Sequence, residues 1–187
     1  KISNDAFSNC CNLIDILISD VVTEIGSSAF HNCSNLCKIQ IPDSVIEIGP
    51  SAFEGCRSLE SINLSQKIKY INCNTFRGCE LLNKIWIPKN VAIIGSEAFG
   101  GCENMSIVAI QSNHIKIDPT AFLQCSNISR LYLANNNPNV VISSFGDSVA
   151  IKIISPISDY DRIKSSASTS AEDLYKTHAT NLKYMAL

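Results

Sequence analysis

Nine cysteines and three histidines are the side chains of this 187-residue sequence whose types could do chemistry. Six of the cysteines, Cys10, Cys33, Cys56, Cys79, Cys102 and Cys125, recur at one constant interval. A thiol column at a fixed period could form disulfides, hold a soft metal or fill a core. On neighbouring layers of a stacked fold the Cα atoms would lie about 5 Å apart, within disulfide reach, but the Cβ vectors would run parallel instead of converging. Buried thiols otherwise behave as small apolar groups, so the column reads as a reduced core ladder. Cys11, Cys37 and Cys73 fall off the period and are the candidates for reactive thiols. Cys33-x-x-x-Cys37 lacks a second cysteine pair or paired histidines, which argues against zinc. His31, His114 and His178 form no ligand or catalytic constellation by spacing. No glycine-rich phosphate loop, G-x-S-x-G elbow or H-E-x-x-H run occurs. The expectation is therefore a protein without catalytic residues, cofactor or metal.

The period that aligns the thiols runs through the whole chain. All seven phenylalanines, Phe7, Phe30, Phe53, Phe76, Phe99, Phe122 and Phe145, keep the same 23-residue period as the thiols. Apolar residues recur at fixed distances behind them: the Leu36 position, the Ile39 and Ile41 positions, and the Ile48 position, which Gly49 follows. A fixed period of this length, within the span of roughly 20 to roughly 29 residues, marks leucine-rich repeats. The unit Ala29-Phe30-x-x-Cys33-x-x-Leu36-x-x-Ile39-x-Ile41-Pro42-x-x-Val45-x-x-Ile48-Gly49 resembles the BspA-like class of that family, and the resemblance covers roughly residues 1 to 150. It implies a cell-surface or secreted protein engaged in adhesion or host contact, as a surface antigen would be.

Each unit has an internal logic. Ile39-Gln40-Ile41 alternates apolar and polar side chains, the signature of a half-buried strand. Pro42 and Pro88 then end their strands, because proline cannot donate to a ladder. A second extended segment is expected between Val45 and Ile48, a positive φ at Gly49, and a helical turn around Ala52-Phe53-Glu54-Gly55-Cys56. Burial within one unit does not outweigh the entropy lost in ordering its whole length of chain, so units must stack. The expected fold is a repeat solenoid with short parallel strands and one helical turn per rung. It should extend over residues 1–157 as a piece of a longer array. A Ser-rich loop over 158–170 and a C-terminal capping helix over 171–187 should follow, with Thr169 and Glu172 spaced as a capping box.

A net charge of −2, from 15 basic and 17 acidic residues, gives no electrostatic case for nucleic acid. No apolar run approaches the roughly 18 residues of a membrane span. Outward strand positions, unlike inward ones, do not repeat. Among them Lys84, Trp86, Arg130 and Tyr132 form the candidate ligand-binding patch, since aromatic and Arg side chains dominate binding hot spots. A protein partner, host or extracellular matrix included, suits that patch better than a glycan. An intracellular interaction scaffold, which a reduced thiol ladder would suit, and a structural spacer in a longer array are the alternatives.

Overall fold

The computed structural model describes residues 1–133, Phe145 and the strand Lys152–Ile154; the positions expected to form the Ser-rich loop and capping helix lie outside them. The polypeptide winds as a parallel β-solenoid, one turn per repeat unit. Its longest side is a seven-stranded parallel sheet of β1 (Asp15–Ile16), β3 (Lys38–Gln40), β5 (Ser61–Asn63), β7 (Lys84–Ile87), β9 (Ile107–Ile110), β11 (Arg130–Leu133) and β12 (Lys152–Ile154), in that order. The register joins equivalent residues of successive units, for example Ile39 with Ile62 and Ile85 with Val108.

The second side consists of two-residue strands. β2 (Glu24–Ile25) pairs with β4 (Glu47–Ile48), while β6 (Tyr70–Ile71), β8 (Ile93–Ile94) and β10 (Lys116–Ile117) form a separate ladder. The ladder breaks between β4 and β6, where Asn72 meets Pro50. In the column Gly26, Gly49, Gly95 and Asp118, each backbone N–H donates to the previous rung, as Gly49 does to the Ile25 carbonyl at 2.8 Å. At position 72 the column carries asparagine, and its side-chain Nδ2 donates to the Ile48 carbonyl at 2.7 Å instead. A Cβ at Gly49 would sit 2.5 Å from the Ser27 nitrogen of the rung before. Asn72 does have a Cβ, and by the repeat it faces Pro50, whose ring adds further bulk. Asp118 faces the slimmer Ser96, and its backbone bond to Ile94 survives at 2.9 Å. Glycine in this column thus serves close backbone approach, not the positive φ that the sequence suggests; Gly49 is absent from the left-handed residues.

The third side replaces the expected helical turn. Cys56 N–H donates to the Phe53 carbonyl and Glu54 N–H to that of Ser51, closing two successive tight turns. The N–H groups of Phe53 and Gly55, however, donate to Thr75 and Arg77 of the next rung at 2.9 and 2.8 Å. Left-handed residues flank the phenylalanine, two in each of the first five rungs and Gln124 in the sixth, and turn these donors toward the neighbour: Ser51 at φ 55° and Gly55 at φ 74°, with Asn, Asp, Ser, Glu, Gln or Gly at the equivalent positions. A helix needs its donors for its own carbonyls. Here they are spent between rungs, and no α-helix forms among the described residues.

Inside, the phenylalanines form a continuous stack. From Phe7 to Phe122 successive ring centroids are 5.0–5.4 Å apart and the planes are tilted by at most 11°. Phe30, Phe53, Phe76, Phe99 and Phe122 are fully buried. Beside them runs the thiol column, and each buried thiol donates to the phenylalanine carbonyl of the previous rung. Cys33 reaches Phe7 at 3.1 Å, Cys56 reaches Phe30, Cys79 reaches Phe53 and Cys102 reaches Phe76 at 3.2 Å, and Cys125 reaches Phe99 at 3.0 Å. All nine cysteines are free thiols.

Candidate interaction surface

The long sheet carries the candidate surface, because its inward side chains belong to the core and its outward ones do not. Strand register brings Lys84, Trp86, Arg130 and Tyr132 together. Trp86 and Tyr132 both pair with Ala109, and Lys84 and Arg130 both pair with Ile107. The Lys84 Nζ lies 5.5 Å from the centre of the Trp86 ring, a cation–π contact.

These residues do not form an open aromatic patch, however. Trp86 is 9% exposed and Tyr132 4%, although neither belongs to the hydrophobic core cluster. Lys84 and Arg130 are half-buried. The Trp86 indole Nε1 is buried with no hydrogen-bond acceptor among the described residues. The sequence did carry a sign of this. Lys38-Ile39-Gln40 alternates, whereas Lys84-Ile85-Trp86-Ile87 and Ile107-Val108-Ala109-Ile110 are near-continuous apolar runs. Such runs belong to strands buried on both faces, and β7, β9 and β11 are buried that way.

The open part of the sheet is its other half. Asp15, Leu17, Lys38, Gln40, Ser61 and Asn63 line a groove of about 450 Å³ across β1, β3 and β5. Register sets Asp15 beside Lys38, Lys38 beside Ser61 and Gln40 beside Asn63. Leu17 is 90% exposed. The groove therefore offers one acid, one base, two carboxamides, a hydroxyl and an apolar side chain, but no aromatic ring on which a sugar could stack. These positions were visible as outward-facing in the sequence; without aromatic area they did not stand out.

The remaining candidates for chemistry stay apart. Cys11 and Cys73 are exposed and Cys37 is half-buried; Cys37 donates to the Asn35 carbonyl at 3.2 Å. His31 is half-buried and His114 exposed, while His178 lies outside the described residues. Among the described residues no group of three or more His, Cys, Asp or Glu is placed to hold a metal, and no helix is long and apolar enough to cross a membrane. Burial raises the Cys33 thiol to about 11, aided by Cys10, and the Cys56 thiol to about 12, aided by Cys33. Burial likewise drives Cys79 and Cys102 well up.

Comparison with known proteins gives this architecture its relatives. The profile of the BspA type leucine-rich repeat region matches in six copies, over residues 1–129 and 47–175. A leucine-rich cell-surface protein of Faecalibacterium prausnitzii is 31% identical with a TM-score of 0.64, the match covering 67% of this chain and 33% of that one. A leucine-rich repeat protein of T. pallidum is 28% identical with a TM-score of 0.60, over 64% of this chain and 58% of its own. A pneumococcal vaccine antigen shares the fold at 22% identity and a TM-score of 0.64, over 81% of this chain and 38% of its own. The chain thus spans about a third of the first of these structures and just over half of the second. No curated protein matches it.

Proposed function

The chain belongs to the BspA-type leucine-rich repeat family, and from that premise we propose that it is a non-enzymatic recognition module of a cell-surface or secreted protein, binding a protein partner in adhesion or host contact. The observation that carries this reading is the contrast between the two faces of the long sheet. Inward positions repeat at every rung. Outward ones change from Asp15 and Leu17 to Lys38 and Gln40 to Ser61 and Asn63. A face that the core does not constrain is free to be shaped by a ligand. The groove over β1, β3 and β5 is the contact surface, since Trp86 and Tyr132 farther along the sheet are buried.

The thiol column does not favour an interior compartment. Thiols that are buried, hydrogen-bonded and hard to ionise are unreactive in oxidising and reducing surroundings alike. The test is binding of the 187-residue chain to a panel of immobilised host-surface and matrix proteins, beside Lys38→Glu and Asn63→Arg variants. Saturable binding by the wild type, lost by at least about tenfold in the variants at unchanged Tm, is the expected result. Wild-type binding that both variants retain in full, or no binding across the panel together with absence from surface-labelled cell fractions, would overturn the proposal in favour of an internal scaffold.

A further inference from the structure

The short-strand side carries a surface that recognition by the long sheet does not use. Its outward column reads Glu24, Glu47, Tyr70, Ile93 and Lys116 on five successive rungs, and the first of these is already ion-paired to Lys1 at 2.6 Å, which leaves the last four. Tyr70 and Ile93 are direct register partners, as are Ile93 and Lys116. Tyr70 is 51% and Ile93 42% exposed, and Ile46, beside Glu47, is 57% exposed. Glu47 and Lys116 are exposed as well, and neither makes an ion pair among the described residues. Tyr70 is the most exposed aromatic side chain among the described residues, so the aromatic area sought on the long sheet is displayed here instead.

The order of these side chains is self-complementary. At about 4.8 Å per paired rung, Tyr70, Ile93 and Lys116 span about 10 Å, and Glu47 stands one rung farther, across the break between β4 and β6. A second copy turned antiparallel about a two-fold axis between Tyr70 and Ile93 would set Tyr70 over the Ile93 of its mate, and Glu47 against its Lys116. Each contact would occur twice. An isologous interface demands this symmetry of a surface, whereas an unrelated ligand would not. A lone acid-to-base gradient would attract many proteins; an acid, an aromatic, an aliphatic and a base in sequence select their own reversed copy. We propose that the chain self-associates through this strip as an antiparallel side-by-side dimer. The strip is narrow, so the dimer is weak and concentration-dependent, below the size of an obligate interface. The proposal is independent of what the long sheet binds, since the two faces lie on different sides of the solenoid.

Sedimentation equilibrium of the 187-residue chain over a wide concentration range reads this directly. The expected result is a reversible monomer–dimer equilibrium. Tyr70→Asp should weaken it by at least about tenfold, and Glu47→Lys by a few-fold through like-charge repulsion. Adding Lys116→Glu to Glu47→Lys reverses both charges and should restore association. All four side chains are at the surface, so far-UV circular dichroism and Tm should match the wild type and exclude a folding defect. A wild type that stays monomeric to near-millimolar concentration overturns the proposal, as does a dimer that Tyr70→Asp leaves intact, or a charge-swapped double variant no better than Glu47→Lys alone.

Discussion

A buried thiol recurs at one place in five successive rungs, Cys33 to Cys125, because that place needs a small apolar group that can also donate. Alanine would fill less volume and leave the phenylalanine carbonyl of the previous rung without its Sγ–H donor, as at Cys56 and Phe30. Serine would donate but would carry a more strongly hydrated group into a fully buried site. The same burial makes the column a pH sensor of stability. The ordinary thiol value is 9.0, and the folded value is about 11 for Cys33 and about 12 for Cys56. A group raised on folding contributes its full share below the unfolded value. That share is lost as pH climbs, because the unfolded chain sheds the proton first. Stability should therefore decline from about pH 9 upward, through pH 11 for Cys33 and 12 for Cys56. In urea melts, the loss between neutral pH and about 10.5 should be smaller in Cys56→Ala than in wild type by roughly 2 kcal/mol, the share of one such thiol. An equal loss in both would mean that the Cys56 thiol ionises in the folded chain as readily as in the unfolded one.

At the scale of elements, the strands were legible and the turns were not. Strand positions follow from alternation within Ile39-Gln40-Ile41 and from the repeat period, and both survive in β3 and its register partners. The Ala52–Cys56 segment has helix-compatible spacing between Phe53 and Cys56, yet single-chain periodicity cannot register that Phe53 N–H has a better partner in Thr75 of the next rung. Trp86 was placed correctly on the outward side of its strand, but its exposure depended on the whole strand's polarity. Asn72 stands at the break in pairing between β4 and β6. Replacing it with glycine should let the third rung close on the second and rejoin the two short-strand ladders. The Lys69 N–H makes no backbone bond among the described residues, whereas Ile46 and Ala92 in the same column donate to Thr23 and Lys69 at 2.9 and 2.8 Å. Hydrogen exchange at Lys69 should slow in Asn72→Gly. Stability should rise by about 1 kcal/mol, the gain of the restored backbone bonds exceeding the extra backbone entropy of glycine. Unchanged exchange at Lys69 together with lower stability would point to Pro50, not Asn72, as the cause of the break.

At the scale of the whole molecule, the solenoid is a one-dimensional solid in which each rung rests only on its neighbours. The cost of damage should therefore depend on where along the column it is done. Phe76 is fully buried and stacked on both sides, its ring centroid 5.4 Å from that of Phe53 and 5.3 Å from that of Phe99. Phe7 is half-buried and stacks on Phe30 at 5.1 Å, its only ring neighbour among the described residues. Phe76→Ala opens a void that neither adjoining rung can collapse into, because both are held by backbone bonds to their neighbours; it should cost about 3–5 kcal/mol. Phe7→Ala removes one stacking contact and a side chain already partly in water, so its cost should be about half as large. Urea unfolding of the two variants, read by circular dichroism, decides the matter. Equal costs would mean that the chain melts as one indivisible core in which position carries no weight. A larger cost at Phe76, with a reduced denaturant slope in that variant, would mark the point at which the column divides into two separately melting stretches.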